Sequence, residues 1–163
     1  MSLHINSKKS FRQYVARCKA LPWTMVNEHP SKWLEGNHTL AINFIRFELI
    51  MKFVKHYYSK GEIILDVGVY PGTIPQLFHE YYPGPGDYKY YGLGLGFDEP
   101  FKEKMDEYEV ILLECDLEPR LHLDRGRTIA IPLEAESMDF IVFTDVIEHF
   151  FDPFYPLQEI NRI

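Results

Sequence analysis

The residues with the clearest chemical potential follow short apolar runs at three places in the chain. Asp66 opens a glycine-containing turn in ILDVGVYPGT (64–73), Asp116 follows VILLEC, and Asp145 and His149 follow DFIVFT. Glycines in such a turn permit positive φ and let the backbone approach a ligand closely. The helix that follows presents free N–H groups. Carboxylates and an imidazole add hydrogen-bond acceptors and a group for proton transfer. These segments therefore predict a ligand site.

An alternation of strand and helix patterns must position these residues. Apolar residues at helical spacing predict a helix between Ser7 and Leu21, and a loop carrying two Trp residues covers 23–38. A helix is predicted from about Thr39 to Tyr58. Four strands are predicted after it, over 62–67, 88–95, 110–114 and 138–146. Further helices are predicted over 73–82, over 99–108, and from the fourth strand to Ile163. Such alternation predicts βαβ units and a parallel sheet, at whose carboxyl edge ligands bind.

Composition restricts the class of protein. The 163 residues are 46% hydrophobic and 25% charged, which predicts one globular domain and excludes disorder. Two cysteines without a C-x-x-C pattern argue against a disulfide scaffold or a zinc cluster. The most apolar stretch, 39–54, contains Arg46, Glu48 and Lys52, so no membrane span is expected. We expect a cytoplasmic protein.

Charge is distributed unevenly along the chain. Residues 1–60 contain ten Lys and Arg against three Asp and Glu, whereas residues 61–163 contain seven against 21. The acidic part, which carries the predicted site, should repel the phosphates of nucleic acid. Nucleic acid is therefore an unlikely partner, and a small molecule is the expected substrate.

Over residues 40–163 the chain resembles the class I S-adenosylmethionine-dependent methyltransferases. The family's acidic residue followed by G-x-G-x-G falls on Asp66, Gly68, Tyr70 and Gly72, with Tyr70 in place of the middle glycine. Its third-strand acidic residue falls on Asp116. The most specific signal is the fourth-strand block, over thirty residues long, which reads IPLEAESMDFIVFTDVIEHFFDPFYPLQEINRI.

The resemblance implies a fold and a division of the chain. The fold is a Rossmann-like α/β parallel sheet with helices on both faces and strand order 3-2-1-4, incomplete because the later strands of the family are missing. Residues 39–163 form the truncated methyltransferase domain, and residues 1–38 form an N-terminal helix and loop that could serve as a lid.

The resemblance also implies a cofactor, S-adenosyl-L-methionine, and a set of site residues. The family's second strand ends in an Asp or Glu that binds the ribose, whereas Gly94 stands here, and Asp98 alone could substitute. His149 is the candidate general base, with a structural role at a helix start as its alternative. The expected cofactor-binding residues are Asp66, Gly68, Val69, Tyr70, Gly72, Gly94, Asp98, Asp116, Leu117, Thr144 and Asp145.

One alternative function is that of a metal-dependent RNA 2′-O-methyltransferase relative. Asp145, Glu148 and His149 are spaced i, i+3, i+4 and would share one face of a helix, as in the E-x-x-E-H motif of those enzymes. The further downstream histidine of those enzymes is absent, so no metal ligand is assigned.

Two other classes of protein remain. A non-catalytic methyltransferase-like domain would bind a nucleoside or act only through dimerisation. A nicotinamide-binding domain would need glycines where Tyr70 and Thr73 stand, so its fingerprint is not met.

We expect the chain to form a homo-oligomer through the edge of strand four or the adjacent helices. The run FIVF (Phe140 to Phe143) contains none of the charges or prolines that keep exposed sheet edges from pairing. Size-exclusion chromatography with light scattering, at tens of micromolar protein, should give a mass above the 19.3 kDa of one chain. A stable 19.3 kDa monomer would contradict this expectation.

Overall fold

The computed structural model describes residues 38–84, 86–118 and 130–163, so the helix and loop predicted before residue 38 lie outside the described residues. No helix in these ranges is long and apolar enough to cross a membrane. The elements in chain order are α1 (His38–Tyr57), β1 (Ile63–Val67), α2 (Thr73–Tyr81), β2 (Lys89–Gly94), α3 (Glu99–Glu107), β3 (Val110–Glu114), β4 (Phe140–Phe143), a 3-10 turn (Ile147–His149) and α4 (Phe154–Arg162).

The four strands form one parallel sheet in the order β3-β2-β1-β4, as the sequence predicted. Ile64 of β1 is in register with Tyr90 of β2 and with Phe140 of β4. Because β1 lies between two neighbours and under both layers of helices, Ile64 and Leu65 on its opposite faces are fully buried. The glycine-containing turn, which follows Val67, therefore begins at the end of a central strand.

Helices cover both faces of the sheet. On one face, α1, α2 and α3 pack with Ile64 and Tyr90 around one hydrophobic cluster. On the other face, α4 and the segment around Ile131 pack against Leu65 and Val67. This layered arrangement is the Rossmann-like α/β architecture.

The chain after β4 differs from the predicted continuous helix. Asp145 has a φ of 54°, in the left-handed region, so no right-handed helix passes through it. A 3-10 turn over Ile147–His149 follows, and α4 begins only after Pro153. The helical face predicted for Asp145, Glu148 and His149 is therefore wrong.

Asp139, the residue before β4, forms two hydrogen bonds with Ile63 of β1. The backbone N–H of Ile63 donates to Asp139 Oδ2 at 2.8 Å, and the N–H of Asp139 donates to the carbonyl of Ile63 at 3.0 Å. Farther along, Arg162 donates to the carbonyls of Ile131 and Leu133 at 2.9 and 2.8 Å. These contacts hold the approach to β4 against β1 and α4.

A buried polar pair joins β1 to β2 beneath the glycine turn. Asp66 is 2% exposed, and its Oδ2 accepts a hydrogen bond of 3.1 Å from the Tyr90 hydroxyl. Burial raises the pKa of Asp66 to about 7, because it removes water from around the carboxylate, and the Tyr90 hydrogen bond only partly offsets this. The same burial raises the pKa of Tyr90 well above its ordinary value.

Asp66→Asn should remove part of the pH dependence of stability. Asp66 keeps its proton in the folded chain up to a pKa of about 7 but releases it in the unfolded chain near 3.8. The free energy of unfolding should therefore fall by about 2 to 4 kcal/mol as the pH rises from 4 to 8. Asparagine accepts the Tyr90 hydrogen bond without a charge, so this contribution should vanish.

Urea unfolding at pH 4.5, 6 and 8 measures this difference. The exposed Asp106, on α3, supplies the matched control, and Asp106→Asn should keep the wild-type pH dependence. Identical slopes for wild type and Asp66→Asn would show that the Asp66 carboxyl is not held neutral in the fold.

Candidate functional site

A cavity of about 500 Å³ opens at the carboxyl edge of the sheet. Residues of β1 and β2 and the segments that follow all four strands line it, because parallel strands end at the same edge. The residues that line it are Val67, Gly68, Tyr70, Leu93, Gly94, Leu95, Gly96, Phe97, Cys115, Asp116, Leu117, Glu118, Asp145, Val146, His149 and Phe150.

The turn after β1 forms the middle of this cavity. Gly68 has a φ of 82°, and its N–H and that of Val69 both donate to the carbonyl of Leu93, at 2.9 and 3.1 Å. A Cβ at Gly68 would overlap the side chain of Val146. Glycine is thus required both by the left-handed backbone and by the close approach of the segment after β4.

The structure brings seven of the predicted site residues to the cavity and leaves five outside its lining. Those that line it are Gly68, Tyr70, Gly94, Asp116, Leu117, Asp145 and His149. Those outside the lining are Asp66, Val69, Gly72, Asp98 and Thr144. The cavity therefore brings part of the predicted set together, and the binding role of these residues stays a prediction.

Three of the five outer residues have evident structural roles. The side chain of Asp66 bonds to Tyr90 in the core. A Cβ at Gly72 would lie 2.6 Å from Met105 Cε, so this glycine faces α3. Asp98, the candidate substitute for the ribose carboxylate, caps α3 by accepting the N–H of Phe101 at 2.9 Å.

An aromatic ring fills the space beside Gly94. A Cβ at Gly94 would lie 2.8 Å from the ring of Phe97, which itself lines the cavity. Phe97 stacks on Phe101 with ring centroids 5.3 Å apart and an interplanar angle of 8°, and Tyr70 stacks on Phe101 at 5.3 Å. The wall from Leu93 to Phe97 therefore has an apolar, aromatic character without polar side chains.

Two buried carboxylates follow β3 on the neighbouring wall. Asp116 is 2% exposed and Glu118 is 5% exposed. Asp116 Oδ1 accepts the N–H of Glu118 at 3.0 Å. Glu118 Oε2 accepts the N–H groups of Phe151 and Asp152, at 2.7 and 3.3 Å. The sequence analysis missed Glu118, whose partners lie 33 and 34 residues away, and Phe97, whose ring lies beside Gly94.

The wall after β4 carries Asp145 and His149. Asp145 Oδ2 lies 2.9 Å from Arg46 Nε of α1, which places a cation beside this carboxylate. The left-handed backbone of Asp145 costs on the order of 1–3 kcal/mol, a strain that the surrounding contacts must hold. The N–H of His149 donates to the carbonyl of Val146 at 3.0 Å, which closes the 3-10 turn.

The residues that line the cavity include more acidic than basic side chains. They include the carboxylates of Asp116, Glu118 and Asp145 and the imidazole of His149, and none of the lining residues is Lys or Arg. Burial raises the pKa of Cys115 to about 11, so its thiol is protonated and a poor nucleophile at neutral pH. The cavity is suited to neutral or cationic ligands and disfavours phosphate groups.

Metal ligation finds no support in the described ranges. Among residues 38–84, 86–118 and 130–163, no group of three or more His, Cys, Asp or Glu side chains could hold a metal ion. Asp145, with its left-handed backbone, lies outside the 3-10 turn that carries Glu148 and His149.

The structure is similar to the crystal structure of a SAM-dependent methyltransferase from Aquifex aeolicus. The two chains are 22% identical, the TM-score is 0.51, and the match covers 69% of this chain and 56% of that chain. The chain thus spans little more than half the length of that methyltransferase. No protein-family model matches the sequence, and the comparison with curated proteins found no match. Together with the strand order, the match shows a Rossmann-like α/β fold.

Proposed function

We propose that the chain is an S-adenosylmethionine-dependent methyltransferase that acts on a small-molecule acceptor and binds its cofactor in the cavity at the carboxyl edge. The observation that carries this proposal is the position and charge of the cavity, which lies against the Gly68 turn and has three carboxylates and no Lys or Arg in its lining. S-adenosylmethionine carries a sulfonium and an ammonium, so an acidic cavity suits it. The similar structure from Aquifex aeolicus is that of a SAM-dependent methyltransferase, which supports the same choice.

The cofactor supplies an activated methyl group, which an acceptor atom takes by in-line displacement. The protein must then align the reactants and accept a proton when the acceptor atom carries one. His149 lines the cavity and is assigned here as that general base. Tyr70, Phe97 and Phe150 supply aromatic surfaces that exclude water around the reacting groups.

The wall of the cavity from Leu93 to Phe97 determines how tightly we expect the cofactor to bind. With the Phe97 ring beside Gly94 and Asp98 engaged in capping, neither position offers the ribose a free carboxylate. The missing charge-assisted hydrogen bonds correspond to about 1.5–3 kcal/mol, or one to two orders of magnitude in affinity. The aromatic surface of Phe97 replaces them only in part, through packing.

S-adenosylhomocysteine should bind measurably, and NAD should not. Calorimetry with S-adenosylhomocysteine, S-adenosylmethionine and NAD tests this, because the pyrophosphate of NAD would meet the carboxylates of the cavity. Phe97→Ala should weaken S-adenosylhomocysteine binding about tenfold by removing the aromatic wall. Phe53→Ala, on the exposed side of α1, is the matched control and should leave it unchanged. NAD binding without S-adenosylhomocysteine binding would refute the proposal.

His149→Gln should separate cofactor binding from methyl transfer. The variant should bind S-adenosylhomocysteine within threefold of wild type, while transfer of tritiated methyl to acceptors that carry a proton falls by about 10²–10⁴-fold. His56→Gln alters an exposed histidine of α1 that does not line the cavity and should keep wild-type transfer. Undiminished transfer by His149→Gln would remove the assigned role of this residue.

The non-catalytic alternative predicts a different pattern in the same assay. Such a domain would bind S-adenosylhomocysteine yet transfer no label to phenol, amine, thiol or carboxylate acceptors. The RNA methyltransferase alternative depended on a metal half-site on one helical face, and the backbone at Asp145 does not provide that face.

A further inference from the structure

We propose that Glu118 is a positioning residue that holds the segment from His149 to Asp152 against the cavity. The role rests on the proposed function in so far as His149 is the base to be positioned. The contacts that carry it lie within the chain itself and can be tested without an acceptor.

Glu118 links two walls of the cavity that are far apart in sequence. It follows β3 by four residues, and its carboxylate reaches the N–H groups of Phe151 and Asp152 beyond the 3-10 turn. The 2.7 Å distance to the Phe151 nitrogen is that of a charge-assisted hydrogen bond. One side chain thus connects the end of β3 to the residues directly after His149.

The backbone of Glu118 is itself fixed. Its N–H donates to Asp116 Oδ1 at 3.0 Å, and both residues are almost fully buried. A carboxylate withdrawn from water needs donors in its place, and the two backbone N–H groups supply them. If the segment moved away, the buried carboxylate of Glu118 would lose these hydrogen-bond donors. The loss of these bonds opposes movement of the segment away from Glu118.

The segment that Glu118 holds is only partly anchored by its own side chains. Phe151 is 74% exposed, whereas Phe150 packs against the hydrophobic cluster on the α4 face of the sheet. The ring of Phe150 lies 6.4 Å from that of Phe143. The backbone hydrogen bonds to Glu118 add to this packing and hold the main chain after His149 beside the end of β3.

Native-state hydrogen exchange on the full chain without ligand tests the proposal. In Glu118→Gln, which keeps the shape but removes the charge, the amides of Phe151 and Asp152 should exchange at least tenfold faster. The amide of Leu65, in the central strand, should be unchanged. The His149 ring resonances in NMR spectra should also shift, which a purely global loss of stability would not produce. Glu118→Ala should show the same changes more strongly.

Glu114→Gln is the matched control. Glu114 is exposed at the end of β3 and lies outside the cavity lining, so this variant removes one negative charge nearby without touching the segment. It should leave the exchange rates of Phe151 and Asp152 and the His149 resonances as in wild type.

The outcomes separate the two proposals. Unchanged exchange at Phe151 and Asp152 in Glu118→Gln, or equal acceleration at Leu65, overturns the positioning role even if S-adenosylhomocysteine binds normally. Accelerated local exchange with a shifted His149 signal supports the role. If wild type then fails to bind S-adenosylhomocysteine, the proposed function fails while the attachment of the segment stands. If Glu118→Ala does not fold, Glu118→Gln still decides the question.

Discussion

The lack of a side chain at Gly68 is the constraint on which the cavity depends. It lets the turn after β1 lie directly against Val146, while the carbonyl of Leu93 fixes the other side of the turn through two N–H groups. The turn is thereby held between the ends of β2 and β4. Any larger residue would push these ends apart, because the backbone conformation and the available space both exclude a Cβ.

Around this turn the carboxylates are held in three different ways. Asp66 lies in the core, where burial holds its pKa near 7 and a tyrosine hydroxyl is its partner. Glu118 is surrounded by backbone donors, and Asp145 lies beside the guanidinium of Arg46. Asp66 lies outside the cavity lining, so the acidic character of the cavity comes from the residues after β3 and β4.

Local patterns were enough to predict the sheet but not the whole site. Strand positions were predicted from apolar runs followed by turns, which are short-range signals, whereas the strand order came from the family resemblance. The left-handed backbone of Asp145 and the ring of Phe97 beside Gly94 were not predicted, because apolar spacing carries no information about a single φ angle or the orientation of a ring. The same holds for Glu118, whose hydrogen-bond partners lie 33 and 34 residues away. The i, i+3, i+4 spacing of Asp145, Glu148 and His149 suggested a continuous helix after β4. Such spacing does not reveal a break in the helix, and the chain forms a 3-10 turn there instead.

The fastening of β4 to β1 also bears on the order of events as the chain folds. β1, β2 and β3 follow one another within about fifty residues, whereas Asp139 must find Ile63 across 76 residues. Closing a longer loop loses more chain entropy, so β4 is expected to join a sheet that is already in place. As the chain leaves the ribosome, the three earlier strands can pair before β4 has been synthesised. The wall that carries His149 then forms after the other three, and a nascent chain would gain a complete cavity only once β4 has joined the sheet.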